Sequence, residues 1–285
     1  MNWIAISVRM LSALLAAVPW LAAAECPVPP TQLLPENYKQ IWHGDLSKGL
    51  AGWGEVKFQF GIQNMRFINP PKAESILQVV YPQGSFDPAT ALAGRAPMGG
   101  AQFTAAPVLS TMRSSRGALL QYKVKFQEGF DFVLGGKLPG LYGGIPRSGG
   151  VIPTGLDGYS VRVVWHKDGY GAIYAYLPTS KVWGTLLGDK SWRFRPGQSY
   201  DLALFVAPNT PGKEDGAIYF WVDSSLRVSE TGLRFRDTNN FNIDGIMFST
   251  FFGGNTPDWA SKTDTSIDFS DFRLSIVNPA QCGKL

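Results

Sequence analysis

From residue 120 to residue 127 the chain alternates without a break, Leu120, Tyr122, Val124 and Phe126 against Gln121, Lys123, Lys125 and Gln127. A period of two places successive side chains on opposite faces of an extended strand, so one face enters a core and the other meets water. Further strand-length apolar or alternating runs lie at 75–81, 159–165, 172–177, 199–206, 217–222, 245–252 and 266–276, with Gly, Pro and Asp punctuating the gaps. No stretch sustains a helical period over twelve residues or more, and no internal repeat is present. Strands that follow one another without crossover helices pair antiparallel. The expectation is therefore an all-β chain, an antiparallel β-sandwich of jelly-roll type. The Gly- and Pro-rich stretch 138–158 reads as a long loop overhanging one sheet.

Arg9 is the sole charge before Glu25, and the apolar run 10–21 ends in Ala22, Ala23 and Ala24. The run is shorter than the ~20 apolar residues of a membrane span, and its small closing residues suit a signal peptidase. Residues 1–24 thus read as a secretory signal peptide and residues 25–285 as a single domain, of a size β-sandwiches reach. The mature protein is expected to be secreted, extracellular, monomeric and without membrane or nucleic-acid partners. Losing Arg9 leaves a net charge of +4 − 1 = +3, a mild excess that permits an acidic partner without demanding one. The two cysteines, Cys26 and Cys282, lie one near each end. In an oxidising compartment they are expected to form a disulfide, because domain ends often lie close together. No Asn-x-Ser/Thr sequon occurs.

Candidate chemistry concentrates in Gly135–Gly144 (GGKLPGLYGG), Gly158–His166 (GYSVRVVWH) and the run 171–178 (GAIYAYLP). One lysine, one arginine and two alternating tyrosines sit there in a setting poor in carboxylates: no Glu occurs between Gly129 and Lys213. Glycosidases need two carboxylates flanking the bond, and this region offers Asp131 in a strand pattern, Asp157 in a loop and Asp168 in a turn. A zinc cluster, a nucleophile elbow and a phosphate-cradling loop are all missing from the sequence. His166 reads as a structural or rim residue, and His43 is given no role. No cofactor is expected for catalysis and no metal at the site; Asp45, Asp268 and Asp271, near the first and last strands, offer hard oxygen ligands to a structural calcium ion.

The register of the 158–178 hairpin decides whether these groups meet. A two-residue Asp168-Gly169 turn sets Arg162 opposite Ala175 and sends the tyrosines to the other face. A three-residue turn over 167–169, with Gly169 left-handed after a type I turn, pairs His166 with Tyr170, Arg162 with Tyr174 and Ser160 with Tyr176. The second choice also gathers Val161, Val163 and Trp165 with Ile173, Ala175 and Leu177 on one apolar face. It is the register adopted, since it segregates polar from apolar on both strands.

The block GGKLPGLYGG, then YSVRVVW, YAYLP and RFRPGQSYDLALFVAPNTPGKEDGAIYFWVD resembles the polysaccharide lyases of families fourteen and twenty, which include alginate lyases and glucuronan lyase. The resemblance implies a jelly roll whose concave sheet holds an acidic polysaccharide in a cleft. It places Lys137, Ser160, Arg162, Tyr174 and Tyr176 at the cleft centre. The implied reaction is β-elimination: a base takes the proton α to a uronic carboxyl group, an acid protonates the leaving oxygen, and cations neutralise the carboxylate. Lys137, Tyr174 and Tyr176 are the candidate catalytic residues, with either tyrosine as base and acid and Lys137 as carboxylate neutraliser or partner base; Ser160 and Arg162 are the candidate substrate holders. The alternative is a jelly roll that binds such a polymer without cleaving it.

Overall fold

The alternating run becomes a central strand of one sheet, its apolar face buried and its polar face turned to water, in a computed structural model that describes residues 33–278. In chain order the strands are β1 (Tyr38–His43), β2 (Glu55–Phe60), β3 (Met65–Ile68), β4 (Ile76–Tyr81), β5 (Ala101–Ala106), β6 (Ala118–Phe126), β7 (Gly135–Gly144) and β8 (Gly158–His166). After them come β9 (Gly171–Tyr176), β10 (Thr185–Leu187), β11 (Ser199–Ala207), β12 (Gly216–Val222), β13 (Ser225–Leu233), β14 (Gly245–Phe252) and β15 (Thr265–Val277). The α-helices among the described residues, Pro88–Leu92 and Leu109–Arg113, span five residues each.

Two antiparallel sheets result. The first runs β13-β12-β11-β6-β15-β4-β3, with β1 also paired to β15; the second runs β10-β9-β8-β7-β14-β5-β2. Tyr122, Val124 and Phe126 of β6 meet Val161, Val163 and Trp165 of β8 and Ile173 and Ala175 of β9 in one continuous core. Phe126, Phe130, Phe132, Trp165 and Phe252 make mutual ring contacts there. Each buried aliphatic or aromatic side chain of this kind stabilises the sandwich by about 1.5–3 kcal/mol. The jelly-roll expectation holds.

The overhanging loop expected over 138–158 is instead a strand as far as Gly144. β7 lies inside the second sheet, paired to β8 and β14. Its glycines permit close approach: a Cβ on Gly136 would overlap the Trp165 ring, and one on Gly140 would overlap the Val161 carbonyl. Pro139 sits at a register shift against β8, where its missing N–H costs no ladder bond, and its carbonyl accepts the Tyr122 hydroxyl at 3.0 Å. The overhang is thus confined to residues 145–157.

The hairpin register is the expected one, Arg162 opposite Tyr174 and Ser160 opposite Tyr176. The turn itself differs. Gly169 has φ +80°, but Asp168 is also left-handed, at φ 61°. Asp tolerates that conformation better than most side chains, so an Asp-Gly pair with Lys167 as an extra residue reaches the register assigned to a type I turn.

Residues 1–24, Cys26 and Cys282 lie outside the described residues. The ends of the described chain are neighbours, since Tyr38 pairs with Val277 and the Asn278 N–H donates to the Asn37 carbonyl at 2.8 Å.

Candidate active site

The face of the second sheet turned away from the core collects the polar members of its strands. Lys137 is opposite Val164, and Tyr142 is opposite Ser160. With the hairpin register this brings Lys137, Ser160, Arg162, Tyr174 and Tyr176 onto one surface across β7, β8 and β9. The Lys137 ammonium lies 4.4 Å from the Tyr174 ring centroid. The Arg162 guanidinium lies 6.0 Å from the Tyr174 ring and 5.9 Å from the Tyr176 ring. The two phenol oxygens are 3.5 Å apart.

Burial was the unexpected property of this surface. An exposed wet face was anticipated, yet Arg162 is 1% exposed and Ser160 and Tyr176 are equally enclosed. Loop 145–157 covers Ser160 and Tyr176: Ser160 Oγ donates to the Arg147 carbonyl at 2.5 Å, and the Tyr176 oxygen accepts the Gly150 N–H at 2.9 Å. The Arg162 Nη1 donates to Ser249 Oγ at 3.1 Å, and Ser249 donates on to Gln102 Oε1 at 2.8 Å. The Arg162 Nε is buried without a hydrogen-bond partner, and no carboxylate among the described residues pairs with the guanidinium.

The electrostatics follow from that enclosure. Burial, reinforced by the positive charge of Arg162, pulls the Lys137 ammonium down to about 7. Burial lowers Arg162 to about 10, which leaves it charged at neutral pH. Burial, then the bond to Tyr176, pushes the Tyr174 phenol up. At neutral pH the site therefore holds an amine able to accept a proton, a phenol able to give one, and a fixed cation.

His166 ends β8, on the same side as Val164 and Arg162. Its Nε2 is buried, 4.0 Å from Asp189, and burial lowers its pKa. The acids named in this region do other work: Asp157 pairs with Arg147 at 2.6 Å, and Asp131 accepts the Val133 N–H at 2.8 Å. The three carboxylates considered for calcium are not gathered. Asp45 caps a turn and pairs with Lys48, Asp268 accepts from Gln78, and Asp271 is held by Lys123 and Arg273. No group of three or more potential metal ligands occurs among the described residues.

Four participants were missed from the sequence: Ser249, Gln102, Gly150 and Gly184, whose N–H reaches the Tyr174 oxygen at 3.2 Å. Ser249 had a signal, a polar residue inside the apolar run GIMFSTFF. The glycines had none, because they act through backbone N–H groups.

A two-sheet jelly roll with cations and phenols along one sheet face has the build of a polysaccharide lyase. The chain belongs to that class through a definite family: the profile of polysaccharide lyase 14 matches residues 69–272. Among solved structures, the PL-14 alginate lyase from Aplysia kurodai superposes with a TM-score of 0.71 at 28% identity, over 84% of this chain and 100% of that one. The alginate lyase vAL-1 from Chlorella virus gives 0.70 at 20% identity, over 84% and 100%. The endo-β-1,4-glucuronan lyase from Trichoderma reesei gives 0.55 at 10%, over 85% and 99%, a likeness of fold. A curated relative, Exolysin of Paramecium bursaria Chlorella virus 1, is 24% identical over 198 residues, 58% of this chain and 30% of that protein. The chain thus matches under a third of that relative's length.

Proposed function

We propose that this protein is a secreted lyase that cleaves a uronic-acid polymer, alginate or β-1,4-glucuronan, by β-elimination. The observation that carries the reading is Arg162: a buried guanidinium that no acid among the described residues pairs with, and whose Nε has no hydrogen-bond partner, is a charge that a carboxylate of the ligand would satisfy. The names of the alginate and glucuronan lyases of like fold support a polyuronate as that ligand. Secretion rests on the signal-like segment 1–24.

In this mechanism Arg162 holds the uronate carboxyl group and disperses the charge that builds up as the neighbouring C5–H bond breaks. The neutral Lys137 amine takes that proton. Electrons of the C5–H bond form the C4=C5 double bond, the C4–O bond breaks, and Tyr174 delivers its hydroxyl proton to the departing oxygen. The Tyr174 phenolate then recovers a proton from the Lys137 ammonium beside its ring, directly or through solvent, so the enzyme returns to its starting state with no net proton change. Ser160 and Tyr176 shape the floor of the site.

The test is a panel of mannuronate-rich, guluronate-rich and glucuronate polymers, followed by the ultraviolet absorbance of the unsaturated uronate end. Absorbance should rise with at least one of them and stay flat with a carboxyl-reduced polymer. A flat trace on all three, with the polymers still bound, would leave a binding module rather than a lyase.

A further inference from the structure

Two loops converge on the phenol pair from the same end of the sheet. Loop 145–157 leaves β7 and enters β8, and the shorter loop between β9 and β10 carries Ser180, Trp183 and Gly184. Each is tied down independently of any ligand. In the first, Asp157 pairs with Arg147 at 2.6 Å and accepts the Thr154 N–H at 2.9 Å, and the Ile145 N–H donates to the Asp157 carbonyl at 2.8 Å. In the second, Ser180 Oγ bonds Thr185 Oγ1 at 2.9 Å, and the Ser180 N–H donates to the Leu177 carbonyl at 2.9 Å. The loops also touch: Gly150 lies under the Trp183 ring so closely that a Cβ there would stand 2.7 Å from the ring edge. Gly150 has φ +85° as well, so the conformation and the contact both favour a residue without a side chain. At Gly184 a Cβ would come within 2.9 Å of both the Tyr174 and the Tyr176 rings.

The shared outcome of this construction is that each phenol oxygen receives one backbone N–H, Tyr176 from Gly150 at 2.9 Å and Tyr174 from Gly184 at 3.2 Å. A donor aimed at a phenol oxygen does little for the neutral hydroxyl and much for the phenolate, because a hydrogen bond to a charged acceptor is roughly twice as strong as a neutral one. Donors held by a tied loop need no reorganisation when the charge arrives.

We propose that Gly150 and Gly184 are positioning residues of the reaction, whose backbone N–H groups fix the two phenols and hold the negative charge left when a phenol gives up its proton. The inference rests on the lyase reading for its kinetic consequence, and on the hydrogen-bond geometry alone for its effect on the tyrosines. Gly184 serves the phenol that protonates the leaving oxygen. Gly150 keeps Tyr176 oriented beside it.

The test replaces Gly184, and separately Gly150, by glycolate in the full-length chain, which exchanges one backbone N–H for an ester oxygen and adds no atom to the site. For the Gly184 ester, kcat should fall about 10–100-fold, the size expected for a lost hydrogen bond to a charged group, while KM changes by less than about twofold. The Tyr174 phenol, followed by NMR of labelled tyrosine without substrate, should titrate at higher pH than in the native protein. In a Tyr174→Phe background the ester should add nothing to the kinetic loss. An unmoved titration, or a loss as large in the Tyr174→Phe background, overturns the proposal. Gly184→Ala supplies a second route should the ester fold poorly: its Cβ, within 2.9 Å of both rings, should displace the Tyr174 oxygen from the 184 N–H, so kcat should fall and the Tyr174 titration should move to higher pH as in the ester, and an unchanged titration there counts against the inference. If the native protein cleaves no polyuronate yet the titration moves as expected, the lyase reading fails and the backbone donors stand.

Discussion

Lys137 and Arg162 show what a reactive residue costs its own fold. Both were expected on the polar face of the sheet, and there Arg162 is fully buried and Lys137 half-buried. For Lys137 the sign is definite. The folded-state pKa near 7 lies below the unfolded value of about 10.4, so between those values the unfolded chain binds more protons and stability rises with pH. The burial penalty is fully present below pH 7 and gone above the unfolded value. Lys137→Met should therefore raise the melting temperature at pH 6, with the gain shrinking towards pH 10.5, while turnover drops by roughly 10²–10⁴-fold; a melting temperature lowered at pH 6 would refute the sign. The native rate should climb as pH rises through about 7, where the amine loses its proton. Arg162→Lys keeps the charge and loses the planar fork, so its damage should appear chiefly in kcat/KM on charged polymers.

At the level of strands, the hairpin β8–β9 was legible because period two and the sorting of polar from apolar side chains leave one sensible register. Strand β14 was legible to both its ends, and β6 nearly so, for the same reason. β7 was not. Its glycines, read as loop formers, are there because Trp165 and the Val161 carbonyl occupy the space a side chain would need, and that is a tertiary fact with no local signature. The sequence placed Lys137, Arg162 and the tyrosines together through spacing and family pattern, but the cover over Ser160 and Tyr176 depends on loop 145–157 folding back, which spacing does not encode. Gly140→Ala measures the claim about β7. The added methyl meets backbone in the interior of a paired strand and should destabilise the protein by about 1–3 kcal/mol, read as a lower denaturant midpoint at unchanged slope. A neutral substitution would mean that the two strands can separate without loss.

For the molecule as a whole, the sandwich brings its ends together on one sheet. β1 and β15 run antiparallel with Tyr38 against Val277, so Cys26 precedes and Cys282 follows a pair of adjacent strand ends. We expect them to be bridged. Mass spectrometry of the unreduced, digested protein should recover one peptide pair joined through these residues, and finding both as free thiols would remove the idea. Closing so long a loop would restrict the unfolded chain by on the order of 4–5 kcal/mol in the entropic account. The same pairing governs how the molecule answers tension. A pull applied at the two ends reaches β1 and β15 at the Tyr38–Val277 rung and opens the ladder one rung at a time, like a zipper, whereas strands loaded from opposite ends would have to shear every rung together. Without a covalent link across the ends, the sandwich should peel open at its seam under a modest load while the sheet bearing Lys137 and Arg162 is still intact.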